Sequence, residues 1–227
     1  MTPEDPAAAR FPFELRDAPP ILPLVTAAAS DPIEGVVEAL SSAGVAAVEV
    51  TLRRDGALDA LRRAVDAAGA RTVVGAGTVR TVPQLDEAVA GGAAFVVSPG
   101  FDTMLAARAA RHGVPYVPGV ATATEVMAAV RVGLRVLKFF PAEAIGGAAA
   151  LRALGEPFSD VRFIPTGGIG EWNLATYLSL ANVWCCGGSW IVPARELAAP
   201  DLGAITARVE HARSIAATAL AKRPGAR

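Results

Sequence analysis

The sequence has 227 residues, of which 52% are apolar. A chain of this length and composition can bury a sizeable core, which excludes a disordered protein. With 21 basic and 22 acidic residues, the formal net charge is −1. This balance argues against a dedicated nucleic-acid binder, because such proteins carry a basic patch. No apolar run reaches the roughly 18 residues that a membrane-spanning helix needs.

The amino-terminal region and the cysteines indicate a cytoplasmic protein. Residues 1–17 carry charges of both signs and no continuous apolar run, unlike a secretory signal peptide. Cys185 and Cys186 are adjacent and cannot form a disulfide framework. The only histidines, His112 and His211, lie away from the predicted strand ends, so we expect no metal site.

Short apolar runs alternate with alanine-rich stretches along most of the chain. The eight runs are 21–25, 47–52, 72–76, 94–97, 115–117, 136–140, 162–164 and 183–186. The stretches between them, such as 32–43, 57–68, 82–90, 103–111 and 124–130, have the i, i+3, i+4 apolar spacing of helices. Ser30, Asp31 and Thr124 stand where helix N-caps are expected.

This alternation predicts an α/β fold, a (β/α)8 barrel. Strands alternating with helices form parallel βαβ units, and continuously apolar strands are buried on both faces. The alternative is an open doubly wound sheet, but the first run lacks the glycine-rich fingerprint that usually follows the first strand of such sheets. We expect one domain over 1–227, with an N-terminal extension at 1–18, a last helix over 202–222 and a tail at 223–227.

The second run places a carboxylate inside the predicted barrel. Because strand side chains alternate between faces, Glu49, Thr51 and Arg53 share one face, while Val48 and Val50 share the other. The apolar face should pack on the helices, which directs Glu49 inward, where a carboxylate is costly unless it is paired or used. A purely structural Glu49–Arg53 ion pair is the alternative interpretation.

The sixth run contains one of the only two lysines in the sequence, Lys138 and Lys222. A lysine is almost never fully buried without a partner. If Val136, Lys138 and Phe140 face inward, the ammonium lies near Glu49. A desolvated lysine can attack a carbonyl carbon and form a Schiff base. The alternatives are a lysine that extends to the barrel mouth or that pairs with Glu49 only structurally.

Glycine pairs follow the last two runs, where barrels often bind phosphate. Gly167 and Gly168 follow the seventh run, and Gly187 and Gly188 end the eighth, followed by Ser189. Successive backbone N–H groups can form an anion-binding nest, and a serine hydroxyl adds a donor. Either pair alone could be a simple turn, whereas the two together predict a phosphate site.

Small residues also follow the third and fourth runs. The third ends in Gly75-Ala76-Gly77-Thr78, and Ser98-Pro99-Gly100 follows the fourth. We expect the glycines to leave room for a ligand and Thr78 to donate to a carboxylate. A plain tight turn is the alternative for the third run.

These motifs, in this order from about residue 21 to 193, resemble one protein family. They are Glu49-Val50-Thr51-Leu52-Arg53, Gly75-Ala76-Gly77-Thr78, Ser98-Pro99-Gly100, Lys138-Phe139-Phe140-Pro141-Ala142-Glu143, Pro165-Thr166-Gly167-Gly168-Ile169 and Gly187-Gly188-Ser189-Trp190. The sequence is similar to the aldolases that cleave 2-keto-3-deoxy-6-phosphogluconate (KDPG) and 4-hydroxy-2-oxoglutarate (KHG).

The resemblance implies a class I aldolase, a lyase of the Entner–Doudoroff pathway, that works as a cytoplasmic homotrimer without a cofactor. Its substrate would be a small 2-keto acid phosphate, with no nucleic-acid or membrane partner. It further implies that Lys138 forms the Schiff base and that Glu49 is the proton acceptor and donor.

The resemblance also assigns the two ends of the substrate. Arg53 and Thr78 would hold the pyruvate carboxylate, and the backbone near Pro99 and Phe140 would shape that pocket. The position of Thr166 is tied to gluconate over galactonate stereochemistry. The phosphate would be bound by Gly167, Gly168 and Ser189, next to Gly187 and Gly188.

Three other functions stay open on the sequence. The first is cleavage of the galactonate analogue of KDPG. The second is a phosphosugar isomerase or epimerase on the same barrel, which would use Glu49 as its base but would not need Lys138. The third is a non-catalytic sugar-phosphate sensor, because fold alone does not imply function.

Overall fold

A computed structural model describes residues 18–221. In that range the strands are β1 (Ile21–Val25), β2 (Ala47–Thr51), β3 (Val73–Gly77), β4 (Val96–Val97), β5 (Tyr116–Val117), β6 (Gly119–Val120), β7 (Val136–Phe139), β8 (Arg162–Pro165) and β9 (Cys186–Gly188). The helices are α1 (Ile33–Ser42), α2 (Ala57–Ala67), α3 (Val82–Ala90), α4 (Thr103–His112), α5 (Ala123–Arg131), α6 (Gly147–Gly155), α7 (Glu171–Leu178) and α8 (Leu202–Ala221).

The strands form a parallel barrel. One sheet has the order β5-β4-β3-β2-β1-β9, and the other has the order β6-β7-β8. Two isolated parallel bridges, Phe163–Val183 and Thr166–Gly187, join β8 to the segment of β9. The strands follow one another in chain order and the last pairs with the first. This order confirms the (β/α)8 barrel and excludes the open doubly wound sheet.

The fifth strand is divided at Pro118, a division that the apolar run 115–117 did not predict. β5 pairs with β4, whereas β6 pairs with β7. Proline has no backbone N–H and cannot donate to a ladder. Its carbonyl accepts from the backbone N–H of Lys138 at 2.8 Å. Pro118 therefore interrupts the run between the part that is paired with β4 and the part that is paired with β7.

The predicted helix N-caps at Ser30, Asp31 and Thr124 are wrong. Pro32 is the N-cap of α1, and it makes no side-chain capping bond. Thr122 is the N-cap of α5 and closes a capping box. Thr124 therefore lies inside the first turn of α5, where the side chain of Thr122 already accepts from a backbone N–H group.

Apolar side chains form two layers around the strands. The inner cluster contains Leu22, Leu24, Ala47, Phe95, Val97, Val117, Val136, Ile164 and Cys185. The larger outer cluster lies between strands and helices and includes Val48, Val50 and Cys186. The faces of β2 therefore alternate as its sequence predicts. The two cysteines are free and lie in different layers, and burial raises the pKa of both thiols.

The glycines of β3 make room for neighbouring side chains. A Cβ on Gly75 would lie 2.3 Å from the Phe95 ring, and a Cβ on Gly77 would lie 2.1 Å from Oε1 of Glu49. We expected space for a ligand beside these glycines. That space is instead occupied by the Phe95 ring at Gly75 and by the Glu49 carboxylate at Gly77.

The expected N-terminal extension and tail cannot be described. Of residues 1–18 only Ala18 lies within the described range, and 223–227 lie outside it. The last helix is described to Ala221, one residue short of the predicted end.

We expect Gly75→Ala to lower the free energy of unfolding by about 1–3 kcal/mol, because the added methyl group overpacks against Phe95. Urea unfolding followed by circular dichroism measures this change. Gly35→Ala in α1 is the matched control, since its Cβ would lie 3.5 Å from Leu202, an ordinary contact. Alanine favours a helix over glycine, so the control should not be destabilised. A Gly75→Ala protein as stable as the parent would contradict this packing.

Candidate active site

Lys138 and Glu49 meet inside the barrel. The Nζ atom of Lys138 lies 3.1 Å from Oε1 and 3.5 Å from Oε2 of Glu49. The two side chains are 3% and 1% exposed. Both project from the inner faces of their strands. Glu49 lies two residues after Ala47 on β2, and Lys138 lies two residues after Val136 on β7, and both of these apolar residues belong to the inner cluster. The structure thus brings together an amine and a carboxylate that are 89 residues apart.

Burial makes this ion pair energetically demanding. Each charge loses its hydration, and the attraction between the partners compensates only when their geometry is good. The Lys138 ammonium also lies 5.4 Å from the centroid of the Phe140 ring, within cation–π range. Within residues 18–221 no ion pair joins Glu49 to Arg53, so the alternative structural pairing is wrong.

Arg53 and Thr78 form a second polar group at the rim. The Arg53 Nε–H donates to Oγ1 of Thr78 at 2.8 Å. Thr78 has a φ of 60°, a left-handed conformation that is strained for a β-branched residue. Because the Thr78 hydroxyl accepts from Arg53, its own hydrogen is available to a ligand. A guanidinium and a hydroxyl donor together suit a carboxylate.

The loop after β4 lies against the strand that neighbours β7. Ser98 Oγ bonds with the Gly100 carbonyl at 2.5 Å and with the Tyr116 hydroxyl at 2.6 Å. A Cβ on Gly119 would lie 2.1 Å from the Pro99 carbonyl oxygen, so only glycine allows this approach. Pro99 is thereby held beside β6, which pairs with β7 at the level of Lys138.

The glycine loop after β8 lies beside β9. Gly167 and Gly168 have φ values of 100° and 79°, a backbone that favours glycine. Thr166 is buried and forms a bridge with Gly187, where a Cβ would lie 2.3 Å from Thr166 Oγ1. The exposed Ser189 follows β9 by one residue. The structure therefore brings Gly187 beside the loop of the other glycine pair.

Gly188 has a different environment. It pairs with Pro23 of β1, and a Cβ there would lie 1.9 Å from the Trp190 ring. Its small size is therefore required by packing against the indole.

The glycine loop is supported by two residues of α7, Asn173 and Tyr177, that none of the sequence motifs contains. Asn173 accepts from the backbone N–H of Gly170 at 2.9 Å and donates to the Gly168 carbonyl at 3.0 Å. One turn later on α7, the Tyr177 hydroxyl donates to the carboxylate of Glu143. The sequence signal for these supporting residues is an asparagine and a tyrosine that follow a glycine-rich loop and are four residues apart, which places them on the same face of a helix.

Both histidines lie beside carboxylates at the surface. His112 contacts Asp86 at 2.7 Å, and hydrogen bonds from Arg108 and then His112 lower the pKa of Asp86 to about 2. His211 lies 3.8 Å from Glu171.

Over residues 18–221, no cluster of three or more His, Cys, Asp or Glu side chains is placed to hold a metal ion. No helix in this range is long and apolar enough to span a membrane.

Comparison with known proteins gives consistent matches. A model of the KDPG and KHG aldolase family matches residues 14–208. The chain is 45% identical over 195 residues to the 2-dehydro-3-deoxy-phosphogluconate aldolase of Treponema pallidum, covering 86% of this chain and 92% of that protein. It is 44% identical over 187 residues to the KHG/KDPG aldolase of Escherichia coli, covering 82% and 87%.

A solved structure supports the same grouping. The KDPG aldolase of Legionella pneumophila, with pyruvate captured at low pH as a covalent carbinolamine intermediate, matches with a TM-score of 0.81. The identity is 37%, and the match covers 87% of this chain and 94% of that one. On the family match, the identities and the shared barrel, the chain belongs to the KDPG and KHG aldolase family.

Proposed function

We propose that the protein is a class I aldolase that cleaves KDPG to pyruvate and glyceraldehyde 3-phosphate through a Schiff base on Lys138. The observation that carries the proposal is the buried amine of Lys138, 3.1 Å from the Glu49 carboxylate. The carbinolamine formed by pyruvate in the Legionella pneumophila aldolase is the adduct expected when an amine attacks a 2-keto acid.

The first half of the reaction forms the imine. Lys138 transfers a proton to Glu49, and the neutral amine attacks the C2 ketone of KDPG. Glu49 returns this proton to the hydroxyl group of the resulting carbinolamine, which leaves as water. A protonated imine then remains on Lys138, and Glu49 is again a carboxylate. This cation is the electron sink for the next step, since it accepts the electron pair of the C3–C4 bond when that bond breaks.

The second half uses Glu49 as base and then as acid. The Glu49 carboxylate removes the proton of the C4 hydroxyl through a water molecule, and the C3–C4 bond breaks. Glyceraldehyde 3-phosphate leaves, and an enamine of pyruvate remains on Lys138. Glu49 returns a proton to C3, and water then hydrolyses the imine to release pyruvate.

The rim residues orient the substrate around this chemistry. Arg53 and Thr78 bind the carboxylate, next to the pocket formed by Pro99 and Phe140. The Arg53–Thr78 hydrogen bond and the strained backbone of Thr78 support this assignment. Backbone strain of this kind is frequent at residues that clamp a ligand.

The phosphate lies at the opposite part of the rim, on the glycine loop after β8. Gly167, Gly168 and Ser189 bind it, and Gly187 lets Thr166 approach closely. Gly188 contributes through the packing of Trp190. Thr166 then faces the substrate between phosphate and imine, where it favours the gluconate stereochemistry.

KHG is the second substrate that we propose, and the name of the Escherichia coli relative supports it. KHG shares the 2-keto acid end of KDPG and lacks the phosphate. It would use the same Lys138 and Glu49 and release pyruvate and glyoxylate.

Borohydride added to the protein with pyruvate should fix a pyruvate-derived mass increment on the peptide that contains Lys138. Peptide mass spectrometry measures it. Lys222, the other lysine of the sequence, is the internal control and should stay unmodified. Lys138→Met should abolish both trapping and cleavage while its circular dichroism spectrum stays that of a folded protein. A folded parent without an increment at Lys138 would exclude the imine mechanism.

Glu49→Gln should slow KDPG cleavage by about 10²–10⁴-fold, because the side chain keeps its size and loses its ability to take a proton. The exchange of pyruvate methyl protons in D₂O, followed by NMR, should fall by a similar factor. Borohydride trapping of pyruvate should persist, since Lys138 is intact. Proton exchange at the parental rate would show that another group is the base.

We further propose that the enzyme works in the cytoplasm as a homotrimer. Phosphorylated sugar acids are retained in cells because their charges oppose membrane passage. An exposed apolar stripe on α4, formed by Met104, Ala107 and Ala110, supports the assembly. It borders a groove of about 730 Å³ that includes Val132, which is 48% exposed.

Sedimentation velocity should give a trimer for the parent protein. Met104→Asp should shift it towards monomer, because a carboxylate on the stripe would be desolvated in an interface. Trp172→Ser, which alters another exposed apolar residue, is the control and should stay trimeric. A monomeric parent at micromolar concentration would contradict the assembly.

A further inference from the structure

We propose that Tyr177 and Glu143 are positioning residues that brace the glycine loop and thereby set the preference for phosphorylated over non-phosphorylated 2-keto acids. This proposal rests on the proposed function, because it assigns the phosphate to Gly167 and Gly168. Neither side chain touches the reacting carbons in this arrangement, so both act through the loop.

The brace connects α7 to the loop that follows β7. Tyr177 is 1% exposed, and its hydroxyl donates to the carboxylate of Glu143. The stem of Glu143 packs on Gly168, where a Cβ would lie 2.6 Å from Cγ of Glu143. A glycine at 168 is thus needed for both its positive φ and this close contact. The position of the Glu143 stem is therefore coupled to that of the glycine loop by direct packing.

Backbone hydrogen bonds extend the same connection. The Ala142 N–H donates to the Thr166 carbonyl at 2.8 Å, and the Glu143 N–H donates to the Gly167 carbonyl at 3.1 Å. The loop after β7 follows directly from the strand that carries Lys138. The loop after β7 and the loop after β8 are therefore tied together by backbone bonds from Ala142 and Glu143, beyond the end of the β7–β8 ladder.

The charge of Glu143 gives the brace a second consequence. A carboxylate beside an anion-binding loop repels phosphate when it is free to turn towards it. The Tyr177 hydroxyl holds this carboxylate near α6, where a Cβ on Gly147 would lie 3.3 Å from Oε1 of Glu143. Burial and then the adjacent Glu143 raise the pKa of Tyr177, so the phenol stays a donor at neutral pH.

Steady-state kinetics on two substrates test the proposal in the full-length protein. Tyr177→Phe should raise the KM for KDPG by about five- to tenfold, the effect expected from the net loss of one ordinary hydrogen bond. The kcat for KDPG should stay near the parental value, and both constants for KHG should be unchanged because KHG has no phosphate. Inorganic phosphate should also inhibit KHG cleavage more weakly in Tyr177→Phe than in the parent.

Two further variants separate positioning from general destabilisation. Glu143→Ala should reproduce the KDPG-specific rise in KM, whereas Glu143→Gln, which keeps an oxygen acceptor for Tyr177, should raise it less. Tyr116→Phe removes another buried hydroxyl, at the Ser98–Gly100 loop, and should change KDPG and KHG cleavage by the same factor.

An unchanged KM for KDPG in Tyr177→Phe would overturn the proposal. Equal losses on KDPG and KHG would overturn it too, because they would show that Tyr177 only stabilises the fold. A parent that forms the pyruvate adduct but cleaves neither substrate would instead overturn the proposed function, so the two failures are distinguishable.

Discussion

The buried contact between Lys138 and Glu49 places strict demands on the strands that carry the two side chains. An ammonium and a carboxylate at 3.1 Å, each almost fully buried, are tolerable only if both strands hold them accurately. Gly77 provides the space for the carboxylate on one side. On the other side, the Pro118 carbonyl accepts from the Lys138 backbone, which fixes the register of β7. The space at Gly77 and the backbone hydrogen bond to Pro118 thus help to keep the two charged groups in contact.

The same barrel separates the tasks of binding and chemistry. The two groups proposed for covalent chemistry and proton transfer, Lys138 on β7 and Glu49 on β2, lie inside and are almost fully buried. The carboxylate and phosphate groups of the substrate are assigned to the rim, where loops present donors. Two tyrosine hydroxyls anchor these loops, Tyr116 at the Ser98–Gly100 loop and Tyr177 at Glu143. Both loops are therefore tied by hydrogen bonds to side chains that are buried in the core.

Much of the fold could be predicted because its signals are local. Apolar runs and helical spacing gave the strands and helices of the barrel, and alternation along β2 gave the direction of Glu49. The divided fifth strand was missed, because it depends on which neighbour each half pairs with. The N-cap of α5 was missed because Thr122 and Thr124 are equally suitable by type, and only the extended backbone of Thr122 distinguishes them. The N-cap of α1 was missed because Pro32 has no side chain that can cap a helix.

The class of fold, the candidate amine and base, and the family could be predicted, because they follow from residue type, periodicity and ordered motifs. The partnerships emerged only in the folded chain: Glu49 pairs with Lys138 and not with Arg53, and Arg53 bonds to Thr78. It also showed that Gly75 and Gly77 accommodate Phe95 and Glu49. Such contacts join residues far apart in the chain, so they depend on barrel closure and strand register, which no local pattern encodes.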